Sequence, residues 1–193
     1  MTGDEKWVLY KNTQRKRQWL DRNQSPQPVP KQELHPKKVM LSLWWDMRGL
    51  IHYELLEPNQ TITAVKYCSQ LDDLRTALSK KRPALLNRKG VVLHHDNART
   101  HTTGATQNKI MSFNWEVLPH PPYSPDIAPS DYHLFRSLQN HLSNKIYEND
   151  DQLKNDLNLF FSQKSEKFFE EGIKKLVDRW TEVIENGGNY CKD

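Results

Sequence analysis

Three aspartates, Asp4, Asp96 and Asp131, occupy positions from which carboxylates can act together. Asp4 abuts a first apolar segment, Asp96 ends a short buried one, and Asp131 opens an amphipathic stretch after a proline-rich loop. Converging carboxylates repel one another unless a cation sits between them, and hard oxygen ligands select Mg²⁺ or Mn²⁺. Two such ions about 3.5–4 Å apart would activate a water or a 3′-hydroxyl and stabilise the leaving oxygen of an in-line phosphoryl displacement. Each acid also has a purely structural reading: Asp4 as a turn residue after a glycine, Asp96 as a strand-ending Asx-turn, Asp131 as a charge at a helix N-terminus. Their joint placement favours the chemical reading.

The elements that must position these acids follow from periodicity. Glu5 to Tyr10 alternates as a strand, while Val39–Trp45 and Leu50–Leu56 flank the turn Asp46-Met47-Arg48-Gly49 as a hairpin. Ala64, Tyr67, Leu71, Leu74 and Leu78 recur at helical spacing up to Pro83. Val91 to His95 is a short apolar run suited to a central strand. A short helix over Thr103–Ser112 leads to a brief strand, Trp115–Leu118. Three helices follow, with inward faces formed by Leu134, Phe135, Leu138 and Leu142, by Leu153, Leu157 and Phe160, and by Phe169, Ile173, Leu176, Trp180 and Val183. Strand, hairpin, helix, strand, helix, strand describes an α/β domain, and carboxylates at strand ends are where open α/β sheets place their sites.

With 193 residues the chain can bury one sizeable core. It has neither a long apolar run nor an apolar leader, so a soluble, non-secreted protein is expected. Cys68 and Cys191 form no spaced cluster and read as free thiols. The net charge of +4 is unevenly spread: between Lys11 and Lys38 eight basic residues face two acidic ones, a local charge of +6. A basic stretch holding four prolines is a long excursion, either a phosphate-backbone contact or a solvated loop.

Four segments carry a family resemblance: TGDEKW (Thr2–Trp7), HPKKVMLSLWWD (His35–Asp46), HDNARTH (His95–His101) and EVLPHPPYSPDIAPSDYHLF (Glu116–Phe135). Together they resemble the catalytic domain of mariner-family DNA transposases, and the 34 residues between Asp96 and Asp131 match the mariner spacing. The resemblance implies an RNase H-like fold, with a central mixed five-stranded sheet flanked by helices and extra C-terminal helices. It implies Asp4, Asp96 and Asp131 as catalytic, metal-binding residues for two Mg²⁺ or Mn²⁺ ions. It further implies cleavage of double-stranded DNA at transposon ends, joining to TA targets, a homodimer in the full-length protein, and action in the nucleus. The excursion over residues 11–37 falls where the family has its clamp loop, so Lys11, Arg15, Lys16, Arg17 and Arg22, with Lys37 and Lys38, are expected at DNA or a second subunit. The family's N-terminal helix-turn-helix region has no counterpart here, and the first strand is expected to be short, with three residues before Asp4.

Six residues are expected to support the site: His95, Asn97, His101, Tyr123, Ser124 and Asp126. His95 and His101 flank the second aspartate, a zinc site made by His94, His95 and His101 with Asp96 being the alternative. Asn97 is expected to orient Asp96 or to shape the turn, and Asp126 to cap the following helix. Trp44, Trp45, Trp115 and Trp180 read as core aromatics. Two other functions fit the same fold: a host-adopted module that binds DNA without transposition, and a nuclease acting on RNA–DNA hybrids.

Overall fold

A computed structural model of the chain describes residues 1–13, 18–25, 34–58 and 60–191. Strands β1 (Thr2–Leu9), β2 (Lys38–Asp46) and β3 (Gly49–Leu55) form an antiparallel sheet in that order. Asp4 lies inside β1, opposite Leu43, rather than beside the strand. The β2–β3 hairpin turns through Asp46, whose Oδ1 accepts from the Arg48 backbone N–H at 2.9 Å.

Helix α1 (Ala64–Lys81) starts at Thr63, whose hydroxyl caps Lys66 N at 3.2 Å. A π-helical turn, Leu85–Lys89, leads to β4 (Val92–Leu93). Then come α2 (Arg99–Thr102), α3 (Gly104–Ser112) and β5 (Glu116–Val117), parallel to β4. A π-helical stretch, Ser130–Phe135, runs into α4 (Arg136–Leu142). Helices α5 (Asp150–Ser162) and α6 (Glu166–Glu185) follow, capped by Asn149 and Ser165.

The expected single five-stranded sheet is corrected: the described residues form a three-stranded and a two-stranded sheet, joined by one parallel bridge, Thr2 with His94. Gly3 N donates to His94 O and His94 N to Met1 O, both at 2.9 Å. Only the first residues of β1 reach β4, and β4 and β5 are two residues each, so pairing between the sheets stops after this contact.

The core lies on both faces of the three-stranded sheet. Leu41, Leu43 and Trp45 of β2 pack with α4, α5 and α6 residues, while Trp44 packs with Ile51, Tyr67, Leu71, Leu74 and Leu93. Strand alternation turns the two successive tryptophans to opposite layers, and the register with β3 shifts between them. Trp115 is buried as expected, whereas Trp180 and Val183 of α6 are only half-buried. Two glycines permit close approach of aromatic rings. A Cβ at Gly3 would lie 2.2 Å from Trp44 Cδ1, and one at Gly172 would lie 2.4 Å from His133 Cδ2.

Candidate active site

Asp96 follows β4, where the bridge to Thr2 brings it alongside the start of β1. Its Oδ1 accepts from Ala98 N at 2.9 Å, an Asx-turn, and pairs with His101 Nδ1 at 2.6 Å. Asp131 stands in the first turn of the π-helical stretch, which is held from below by Trp45 Nε1 donating to Ser130 Oγ at 3.1 Å. Asp96 and Asp131 line one open cleft of ≈ 400 Å³, whose wall also includes Asn97, Arg99, His120, Tyr123 and Ser124. The strand end and the proline-rich loop thus bring two acids 35 positions apart to one opening.

Asp4 is not part of that wall; its link to the other two is electrostatic. Burial, followed by the charges of Asp131 and Glu5 and then Asp96, pushes the Asp4 carboxyl well above the ordinary carboxylate range, although Glu5 N–H donates to its Oδ1 at 2.7 Å. Asp131 is raised by burial and by Asp96, against the pull of Lys6. Asp96 differs: burial would raise it, but hydrogen bonds from His101 and Ala98 hold it below its usual value.

Among the described residues, no three His, Cys, Asp or Glu side chains already stand close enough to enclose a metal ion. The donor set nevertheless suits a hard divalent cation. It offers carboxylate oxygens, and two of the three acids have their charged forms disfavoured by burial and mutual repulsion, which a cation would relieve. The zinc alternative is not supported, because the imidazoles turn to separate partners. His94 Nε2 meets His120 Nδ1 at 3.1 Å, and Tyr67 Oη meets His95 Nδ1 at 2.8 Å.

His101 is fully buried between two acids, with Nδ1 on Asp96 and Nε2 3.2 Å from Glu5 Oε2. Burial would depress it, yet the bonds and charges of Asp96 and Glu5 raise it to about 10, so it is a cation at neutral pH. His95 stacks on it at 4.8 Å and is driven down to about 3, by burial first and by the His101 charge second. Residue types and spacing gave no hint of Glu5 in this trio, since its partner is 96 positions away.

The remaining expected residues divide. Asn97 donates its Nδ2 to His120 O and so ties two loops rather than orienting Asp96. Asp126 does not cap a helix: its Oδ2 accepts from Cys191 N at 2.9 Å. Tyr123 is exposed with φ 57, its carbonyl accepting from Tyr190 Oη, and Ser124 Oγ donates to Pro122 O. Of the basic residues, Lys11, Arg22, Lys37 and Lys38 are exposed, while Arg15, Lys16 and Arg17 lie outside the described residues. Lys37 Nζ sits 4.0 Å from the Tyr10 ring centre and Lys38 Nζ 4.3 Å from that of Trp7.

Comparison with known proteins bears on this arrangement. Residues 9–88 match a family model described as a transposase, partial DDE domain. The Mariner Mos1 transposase of Drosophila mauritiana is 40% identical over 193 residues, covering 100% of this chain. The crystal structure of the catalytic domain of Mos1 mariner transposase superposes with a TM-score of 0.84 at 39% identity, covering 99% of this chain and 83% of that one. The chain belongs to the mariner-family transposase catalytic domains. The crystal structure of the Mos1 mariner paired end complex with Mn gives a TM-score of 0.94 at 41% identity, covering 99% of this chain and 56% of that one. Histone-lysine N-methyltransferase SETMAR of Homo sapiens is 45% identical over 190 residues, 98% of this chain. This mariner-family domain spans 56% of the length of the Mos1 transposase and 28% of that of SETMAR.

Proposed function

We propose that this chain is the catalytic domain of a mariner-type DNA transposase with an RNase H-like fold, acting in the nucleus on double-stranded DNA. Its reaction is cleavage at transposon ends followed by joining of the freed 3′ ends to TA target sites. The observation that carries the reading is the cleft shared by Asp96 and Asp131, with Asp4 electrostatically coupled to both. The likeness to a Mos1 paired end complex containing Mn supports a divalent metal and DNA as partners.

Asp4, Asp96 and Asp131 would hold two Mg²⁺ or Mn²⁺ ions, which when bound supply Lewis-acid activation of the attacking oxygen and charge stabilisation of the leaving one. The chain's own groups prepare the place. The Asx-turn at Ala98 and the His101 bond fix the Asp96 carboxylate, and β1 fixes Asp4. Lys6 offsets the charge of Asp131. Lys11, Arg22, Lys37 and Lys38, with Arg15, Lys16 and Arg17, serve DNA or the second subunit of a homodimer, where counterion release favours binding.

The test is DNA cleavage by the purified chain in Mn²⁺. Asp96→Ala and Asp131→Ala should each abolish it while leaving the fold intact by circular dichroism. Unchanged cleavage in either variant would show that the site is elsewhere.

A further inference from the structure

The acids of the cleft account for cation binding but leave open how a polyanionic strand is held against them. A phosphodiester carries its negative charge on non-bridging oxygens, so a site rich in carboxylates needs a cationic donor aimed at those oxygens. Among the described residues lining the cleft, Arg99 is the one permanently charged cation; burial depresses the only imidazole in the wall, His120. Arg99 opens α2 three residues after Asp96, is exposed, and makes no ion pair with another described residue. Lys6 is differently placed, its charge acting on Asp131 and its Nζ 5.8 Å from the Phe135 ring centre.

Resting on the DNA-cleaving reading above, we propose that Arg99 is a substrate-binding residue whose guanidinium takes a non-bridging oxygen of the phosphodiester seated at Asp96 and Asp131. The planar fork of an arginine suits two phosphate oxygens at once, which a lysine ammonium matches as a point charge only. The Asx-turn anchors the backbone immediately before it, since Ala98 N is held by the Asp96 carboxylate. The same short loop therefore presents an acid and a phosphate-binding base to one opening.

The test begins by mapping the phosphate that the unaltered chain cuts in Mn²⁺. Equilibrium binding by fluorescence anisotropy is then measured on that duplex and on one carrying a neutral methylphosphonate at the mapped position. Losing a charge-assisted hydrogen bond should make Arg99→Ala bind the phosphate duplex on the order of ten- to a hundredfold more weakly. It should bind the methylphosphonate duplex as the unaltered chain does, and Arg99→Lys should recover part of the loss. Equal binding by Arg99→Ala and the unaltered chain on the phosphate duplex overturns the proposal. So does an equal loss on both duplexes, which would place Arg99 at another phosphate or in the fold. If the unaltered chain itself neither binds nor cuts DNA, the functional reading fails and this inference with it.

Discussion

His101 offers the sharpest perturbation of the site, because one buried imidazole bridges two acids. Its side chain is 0% exposed, with Asp96 on Nδ1 and Glu5 on Nε2. Raising an imidazole from 6.5 to about 10 corresponds, at about 1.36 kcal/mol per pH unit, to as much as about 5 kcal/mol of folding stability. Since the folded-state value is the raised one, that contribution is complete below pH 6.5 and is lost as pH climbs to about 10. Urea unfolding of the chain in chelator, at intervals from pH 6 to pH 10, should therefore show stability falling with a slope approaching one proton. His101→Gln keeps hydrogen-bonding capacity but carries no charge, leaving Glu5 and Asp96 uncompensated. It should lose about 3–5 kcal/mol at pH 6.5, and the difference from the unaltered chain should shrink towards pH 10. The other ionisable groups are common to both proteins, so the difference between the two curves is the quantity to read. A difference that stays constant across the window would refute the charge-bridge account of His101.

Two further perturbations test the acids and their support. Asp4 has its carboxyl raised by burial and by neighbouring acids, so its ionised form opposes folding above that raised value. Asp4→Asn should therefore raise the melting temperature of the metal-free domain at pH 7.5 while reducing the gain on adding Mn²⁺, and a lowered melting temperature without metal would contradict the repulsion described for this acid. Ser130→Ala removes the buried acceptor of the Trp45 indole in the turn that carries Asp131; calorimetry should show a loss of about 1–3 kcal/mol, and unchanged stability would contradict this role for the hydroxyl.

Much of this architecture was legible in the order of residues. Tyr67, Leu71, Leu74 and Leu78 gave α1 through helical spacing, and all four are buried. The turn at Asp46–Gly49 gave the β2–β3 hairpin, and Leu153, Leu157 and Phe160 gave the face of α5. Such patterns are local: they repeat every 2 or 3.6 residues, so the chain records them without reference to distant segments. Asp96 and Asp131 stand out by their placement along the chain, and the structure sets both on one cleft.

Other features depended on which elements meet. The division into two sheets arises because β1 touches β4 only through Met1–Gly3, a matter of register that alternation cannot express. Sequence alone suggests Asn97 as an Asp96-orienting or turn residue and Asp126 as a helix cap, but their side chains reach His120 and Cys191. Glu5 and Arg99 lie in the segments TGDEKW and HDNARTH, but nothing in their spacing along the chain names their partners. Packing β1 against the loop after β4 makes one the partner of His101, and the cleft shared with Asp131 puts the other beside the acids. Sequence specified what each segment could become, because propensity and periodicity act between near neighbours. Only tertiary structure decided which charges face one another, because that energy depends on distance and burial between residues that the chain itself keeps far apart.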